Sequence, residues 1–125
     1  PIDNNSIKNK LSRSNVIIHP SVMMRTNFLK DIGGYRNFFT NGQDYELWLR
    51  ARKNYNFINL EDKLLRYKIV PKKNFKNDLY GIFARIINLS FDKYFFVQFF
   101  WIFISLTLIF LRRIGFKQSI FRKKK

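Results

Sequence analysis

The chain has 125 residues, enough for one domain, and carries 24 Lys or Arg against 8 Asp or Glu for a formal charge of +16. Its 15 Phe and an aromatic content of 18% exclude a disordered basic tail, whose sequence lacks the apolar surface needed to order it. With no Cys and a single His, His19, a disulfide framework, a thiolate or histidine-based metal cluster and a cysteine nucleophile are excluded as well.

The chain opens on Pro1 and the polar run Ile2-Asp3-Asn4-Asn5-Ser6, with no signal-peptide pattern, and is expected to be the C-terminal piece of something longer. Residues 1 to 70 alternate short β-branched runs with helical periodicity and Gly punctuation, which predicts a mixed α/β domain. Asn15 to Arg25 looks extended on both sides of Pro20, with a strand expected around Ser21 to Met24. Thr26 is placed to cap a short helix over Asn27 to Ile32, and Gly33-Gly34 suits a left-handed stop.

After the loop Tyr35 to Gly42, the spacing of Tyr45, Trp48, Leu49 and Tyr55 predicts a helix beginning near Gln43, with Glu46, Arg50 and Lys53 largely off the apolar face. Phe57 to Leu60 and Lys63 to Val70 have the pattern of two short strands, Leu65, Tyr67 and Ile69 alternating with Arg66 and Lys68. Residues 71 to 93 form a linker and an amphipathic helix. In it Phe75, Leu79, Ile82, Phe83, Ile86 and Ile87 repeat at three and four, with Asn77, Asp78, Arg85 and Asn88 opposite.

Tyr94 to Leu111 then runs 18 residues without a charge. As a helix it would be about 27 Å long, against about 30 Å for the hydrocarbon core of a bilayer. A small domain has no interior to surround a helix apolar on every side, so this stretch is expected to meet a membrane. Residues 112 to 125 add seven basic side chains and no acid, a block suited to anionic lipid. Such charge also suits nucleic acid, but the aromatic residues cluster in the apolar run and are not interleaved with the basic ones, which argues against it.

The strongest chemical signal is Asp44, at the first turn of a helix and preceded by the Gly-containing loop Thr40-Asn41-Gly42. Free N–H groups and the helix dipole favour an anionic oxygen there, and such an oxygen can accept a proton from an incoming hydroxyl. By itself the same placement also describes an ordinary capping Asp.

Four segments occur in order: His19-Pro20-Ser21-Val22-Met23-Met24-Arg25, Ile32-Gly33-Gly34-Tyr35-Arg36, Gln43-Asp44-Tyr45-Glu46-Leu47-Trp48-Leu49-Arg50, and Leu64-Leu65-Arg66-Tyr67-Lys68. Over residues 15 to 70 this series resembles the C-terminal, acceptor-side half of family 2 glycosyltransferases. The resemblance implies the GT-A (Rossmann-like) α/β fold, with Asp44 as the general base that activates the acceptor hydroxyl and Gln43 supporting it where relatives often have Glu. It also implies a nucleotide-sugar donor, a glycan or lipid-linked acceptor, and a divalent metal (Mg or Mn) bound by an N-terminal half absent here. His19, Arg25, Arg36 and Trp48 are the candidate substrate-binding residues: the two arginines either meet phosphates through bidentate contacts or are solvated, His19 reads first as a packing or hydrogen-bonding residue at the cleft, and Trp48 as core. Glu61-Asp62, in a turn, is the poorer acid candidate.

Two departures qualify the resemblance. Tyr67-Lys68-Ile69-Val70 has Val where many relatives have His, and Gln98-Phe99-Phe100-Trp101 lacks the Arg of the processive-synthase signature. The expectation is therefore an inverting, non-processive transferase of cell-surface polysaccharide or glycolipid synthesis, at the cytoplasmic face of a bacterial inner membrane. This piece alone is expected to be inactive. The alternative is a small basic membrane protein that binds anionic lipid without catalysis.

Overall fold

The computed structural model describes residues 1–68 and 75–113. In chain order the elements are α1 (Asn4–Leu11), a 3-10 turn (His19–Ser21), α2 (Thr26–Asp31), α3 (Gln43–Ala51), α4 (Phe75–Ile87) and α5 (Phe95–Arg113). No strand occurs among the described residues, so the expected α/β sheet architecture is overturned.

The physical reason is that a strand exists only by pairing, and each segment with a strand-like pattern lacks a neighbour to form a ladder. Around Pro20 the chain makes a 3-10 turn, with Pro at its start, and returns to extended backbone at Val22 without a partner. Asn59 N–H donates to the Ile2 carbonyl at 3.1 Å and its Nδ2 to the Pro1 carbonyl at 2.6 Å, while Phe57 N–H donates to Asn4 Oδ1 at 3.0 Å; side chains make two of these three bonds, and they do not build a ladder. Beyond it the alternation of Leu65 and Tyr67 buries neither: residues 60 to 68 are exposed throughout, Leu64 at 76%. The strand expected over Lys63 to Val70 ends outside the described residues at positions 69 and 70.

Helix α1 has its own start signal in Asp3, whose carboxylate accepts from Ser6 N–H at 2.9 Å. It buries Ile7 and Leu11, one turn apart. Helix α2 begins one residue earlier than expected: Thr26 is its first residue, and Arg25 holds the cap position with no side-chain bond. Its end is a Schellman turn. Gly33 and Gly34 have φ of 75° and 62°, Gly34 N–H donates to Leu29 O at 2.8 Å, and Gly33 N–H to Lys30 O at 3.1 Å.

Helix α3 is the centre of the core. Tyr45, Leu47, Trp48, Leu49 and Ala51 are buried, with Ile7 and Leu11 of α1, Phe39 of the preceding loop and Ala84 of α4 closing around most of them. Each large apolar side chain buried in this way contributes about 1.5–3 kcal/mol. The nine-residue helix is enclosed on several sides, and this corrects the expected polar face: Glu46 is 0% exposed.

Helices α4 and α5 form an antiparallel hairpin. Gln98, near the start of α5, lies by Asn88 at the end of α4, while Arg112 at the far end of α5 pairs with Asp78 in the first turn of α4 at 2.6 Å. The hairpin buries polar groups beside Ile82, Ala84 and Ile102 and leaves a broad apolar face outside. On α4, Arg85 and Asn88 are buried while Phe75, Leu79, Phe83 and Ile86 are exposed; on α5, Gln98 is 0% exposed and Phe96 81%.

Candidate active site

The site is built at the junction between the loop after α1, the turn at His19 and the first turn of α3. Gly42 occupies the N-cap position of α3 in the left-handed region, φ 69° and ψ 19°, with no side chain to cap the helix. Its Cα lies close under Tyr80: a Cβ there would come within 3.8 Å of the Tyr80 Cβ. Gly at this position is thus favoured by its backbone angle and not by crowding.

Asp44 is the second residue of α3 and is half-buried. Its Oδ2 accepts a hydrogen bond from Asn15 Nδ2 at 2.8 Å, while the Asn15 Oδ1 accepts from Ile17 N–H at 3.3 Å. Asn15 therefore fixes the carboxylate from one side and is itself fixed by its own turn. This residue carried no signal in the sequence, because the contact joins positions 29 apart.

Tyr35 lies close enough to feel the charge on Asp44. Burial, and then the Asp44 carboxylate, push the Tyr35 hydroxyl above its usual range. Its ring meets His19 edge-on at 5.9 Å, and His19 lies 6.1 Å from the Trp48 ring. Trp48 follows Asp44 by one helical turn and is buried, its Nε1 without a hydrogen-bond partner among the described residues. The structure thus gathers Asp44, His19 and Trp48 and adds Asn15 and Tyr35.

The other residues singled out from the sequence are placed differently. Gln43 and Arg25 are both exposed, Arg25 at the start of α2. Arg36 is committed to structure: its Nη1 stands 3.3 Å from Glu46 Oε1, and its guanidinium lies 6.0 Å from the Phe38 ring. Glu46 is the hub of a buried clamp. It accepts from Arg50 Nε at 3.1 Å and Nη2 at 3.0 Å, and from Asn88 Nδ2 at 3.3 Å. Arg50 in turn donates to the Ile32 carbonyl and, at 2.7 Å, to Gly34 O, so the Gly-Gly turn is anchored to α3.

The charge-bearing residues of Gln43-Asp44-Tyr45-Glu46-Leu47-Trp48-Leu49-Arg50 therefore divide by role. Glu46 and Arg50 hold the fold, and Asp44 is left at the surface of the junction with one oxygen, Oδ1, free of protein partners among the described residues. Such an oxygen can accept a proton. A divalent metal has no suitable donor set here: among the described residues no three His, Asp or Glu side chains form a group able to hold one.

The chain is 34% identical over 80 residues, 62% of its length, to the O-antigen biosynthesis glycosyltransferase WbnJ of Escherichia coli. The match covers 31% of that relative, so the chain spans about a third of its length. No family model matches the chain, and no solved structure matches it. The relationship is to a glycosyltransferase, at the level of a distant likeness.

Proposed function

We propose that this chain forms the acceptor side of an inverting, non-processive glycosyltransferase of the family 2 type, with Asp44 as its general base. The observation that carries the proposal is the half-buried Asp44 carboxylate at the start of α3, oriented by Asn15 and close enough to Tyr35 to act on its hydroxyl, with His19 against the Tyr35 and Trp48 rings beyond. The likeness to an O-antigen glycosyltransferase supports the same activity.

In the proposed step the acceptor hydroxyl loses its proton to Asp44 as its oxygen bonds to the anomeric carbon of a nucleotide sugar. The bond from that carbon to the nucleotide diphosphate breaks on the opposite face, and the configuration inverts. A divalent metal, held by a part of the longer protein outside this chain, would neutralise the leaving diphosphate. The acceptor is a glycan or a lipid-linked glycan.

The hairpin α4–α5 supports attachment to a membrane from one side. Helix α5 is the one described helix long and apolar enough to cross a bilayer, with a mean hydropathy of 2.0. Its polar points are nevertheless spent on the protein. Gln98 accepts from the buried Arg52 at 3.0 Å, and Ser105 from the buried Arg85 at 2.9 Å. Upright insertion of α5 alone would strip these arginines of partners, at a cost that a helix lying in the interface avoids. In this proposal the outward Phe face enters the cytoplasmic leaflet of a bacterial inner membrane, whose anionic headgroups suit the sequence charge of Lys117, Arg122, Lys123, Lys124 and Lys125.

The test is Asp44→Asn in the full-length protein. Size and hydrogen bonding to Asn15 are kept, and sugar transfer is expected to fall by about 10²–10⁴. Unchanged transfer would leave the alternative, a non-catalytic basic protein held on lipid.

A further inference from the structure

A cavity of about 260 Å³ lies between the loop after α1 and the inner faces of α4 and α5. Arg13, Asn15, Asp78, Arg85, Leu108 and Arg112 are among the residues that line it. Three are cationic and one is acidic. Arg112 takes up that acid, pairing with Asp78 at 2.6 Å, and Arg13 rests over the Trp101 ring at 5.9 Å.

Arg85 is the unusual member. It is 6% exposed, and every oxygen it reaches is neutral: Gly81 O at 3.2 Å, Arg13 O at 3.2 Å, Trp101 O at 3.3 Å and Ser105 Oγ at 2.9 Å. Among the described residues no carboxylate pairs with it. Buried cations are normally paired, since desolvation is otherwise uncompensated, and this one borders the cavity. Burial depresses the Arg85 guanidinium below its usual range, with the Tyr45 hydroxyl opposing.

We propose that this cavity binds the phosphate or diphosphate group of a lipid, with Arg85, Arg13 and Arg112 as its cationic ligands and the lipid chain running out along the α5 side past Leu108. Two features fix the class of ligand. Guanidiniums suit phosphate oxygens: Arg13 and Arg112 have N–H groups to offer, and Arg85 adds its buried charge and the one N–H its four protein contacts leave over. The wall beside them belongs to the helix whose other side is the exposed Phe surface, so a headgroup held here has its chain at the level of the apolar face. Asn15 lines the cavity and also holds Asp44, so the site adjoins the proposed base. As the seat of an acceptor's phosphate the cavity rests on the transfer proposal; as a lipid-phosphate site it does not.

The experiment is calorimetry on the full-length protein in detergent with farnesyl diphosphate, farnesol and inorganic diphosphate. Farnesyl diphosphate affinity is expected to fall about tenfold in Arg13→Gln/Arg112→Gln, both exposed positions, and to stay unchanged in Arg113→Gln, a neighbouring cation off the cavity. Farnesol is expected to show no such difference, and inorganic diphosphate to bind more weakly than farnesyl diphosphate and to lose affinity in the same variant. An equal fall in Arg113→Gln would reduce the effect to diffuse charge and overturn the proposal. So would an unaffected double variant, or a tenfold difference with inorganic diphosphate alone. Competition by vesicles of phosphatidylcholine with phosphatidylglycerol separates the two lipid sources: displacement of farnesyl diphosphate supports a bilayer phospholipid, and its absence supports a prenyl-borne ligand. Asp44→Asn is expected to bind farnesyl diphosphate normally, so failure of the transfer proposal and failure of this one are distinguishable.

Discussion

Asn15 Nδ2 donates to Asp44 Oδ2 at 2.8 Å and so joins the loop after α1 to the first turn of α3. The bond is partly open to solvent, and a hydrogen bond to a charged group contributes about 1.5–3 kcal/mol where water is excluded and less where it is not. Asn15→Ala in the full-length protein is accordingly expected to lower the transfer rate by about tenfold or less, and Asn15→Asp to lower it further by setting like charges together. Comparing the two rates with the unfolding midpoint of each variant checks this. A rate loss that only tracks instability would count against a positioning role.

Glu46 contrasts with its neighbour two residues earlier. Its carboxylate is buried between Arg36, Arg50 and Asn88, and removing one member of a buried ion pair costs about 3–5 kcal/mol. Glu46→Gln is expected to lower the urea midpoint sharply, whereas Asp44→Asn leaves it nearly unchanged. Urea titration followed by circular dichroism separates the two acids.

Tyr45 provides a pH test of the core. Its hydroxyl donates to Leu11 O at 2.6 Å, and burial pushes it from 10.0 up to about 12, the charges of Arg85 and Arg52 opposing. Because the folded value lies above the unfolded one, the neutral hydroxyl stabilises the fold fully below pH 10, and this contribution is lost as pH rises through about 12. The loss amounts to about 3 kcal/mol at most. Urea unfolding across this range is expected to show falling stability in the parent and a flatter profile in Tyr45→Phe.

Much of the helical framework was legible in the sequence. The Gly33-Gly34 stop, the helix after Gly42, the periodicity of α4 and the charge-free run of α5 all act locally, through φ preference or spacing. Helix α1 carries an equally local signal, the Asp3 cap with Ile7 and Leu11 one turn apart, though it is not among the helices expected from the sequence. The strands failed because alternation at Leu65 and Tyr67 records fitness for a ladder without supplying a partner. Glu46 and Arg85 looked like solvent positions, and Gln98 a polar point in a membrane stretch, because their partners lie far along the chain. Arg52 reaches Gln98 across 46 positions and Ser12 across 40, and no local pattern carries that information. For the site, Asp44 stood out by its place at a helix start, while Asn15 and Tyr35 emerge only from tertiary contact.

The hairpin makes a topological prediction. Asp78 and Arg112 pair at one end of α4–α5, so Asn77 and Arg113 lie at the same end and on the same side of any membrane. Cys placed at either position in the full-length protein is expected to be protected from an impermeant thiol reagent added to intact cells and labelled after lysis. Labelling of Arg113→Cys from outside, with Asn77→Cys protected, would establish a true crossing by α5.

The central claim is that Asp44 is the base. The direct measurement is the single-turnover transfer rate of the full-length protein carrying Asp44→Asn, with an unfolding curve from the same preparation. The account predicts a rate lower by about 10²–10⁴ at an unchanged unfolding midpoint. Transfer at the parent rate, with the substitution confirmed and the fold intact, would contradict it.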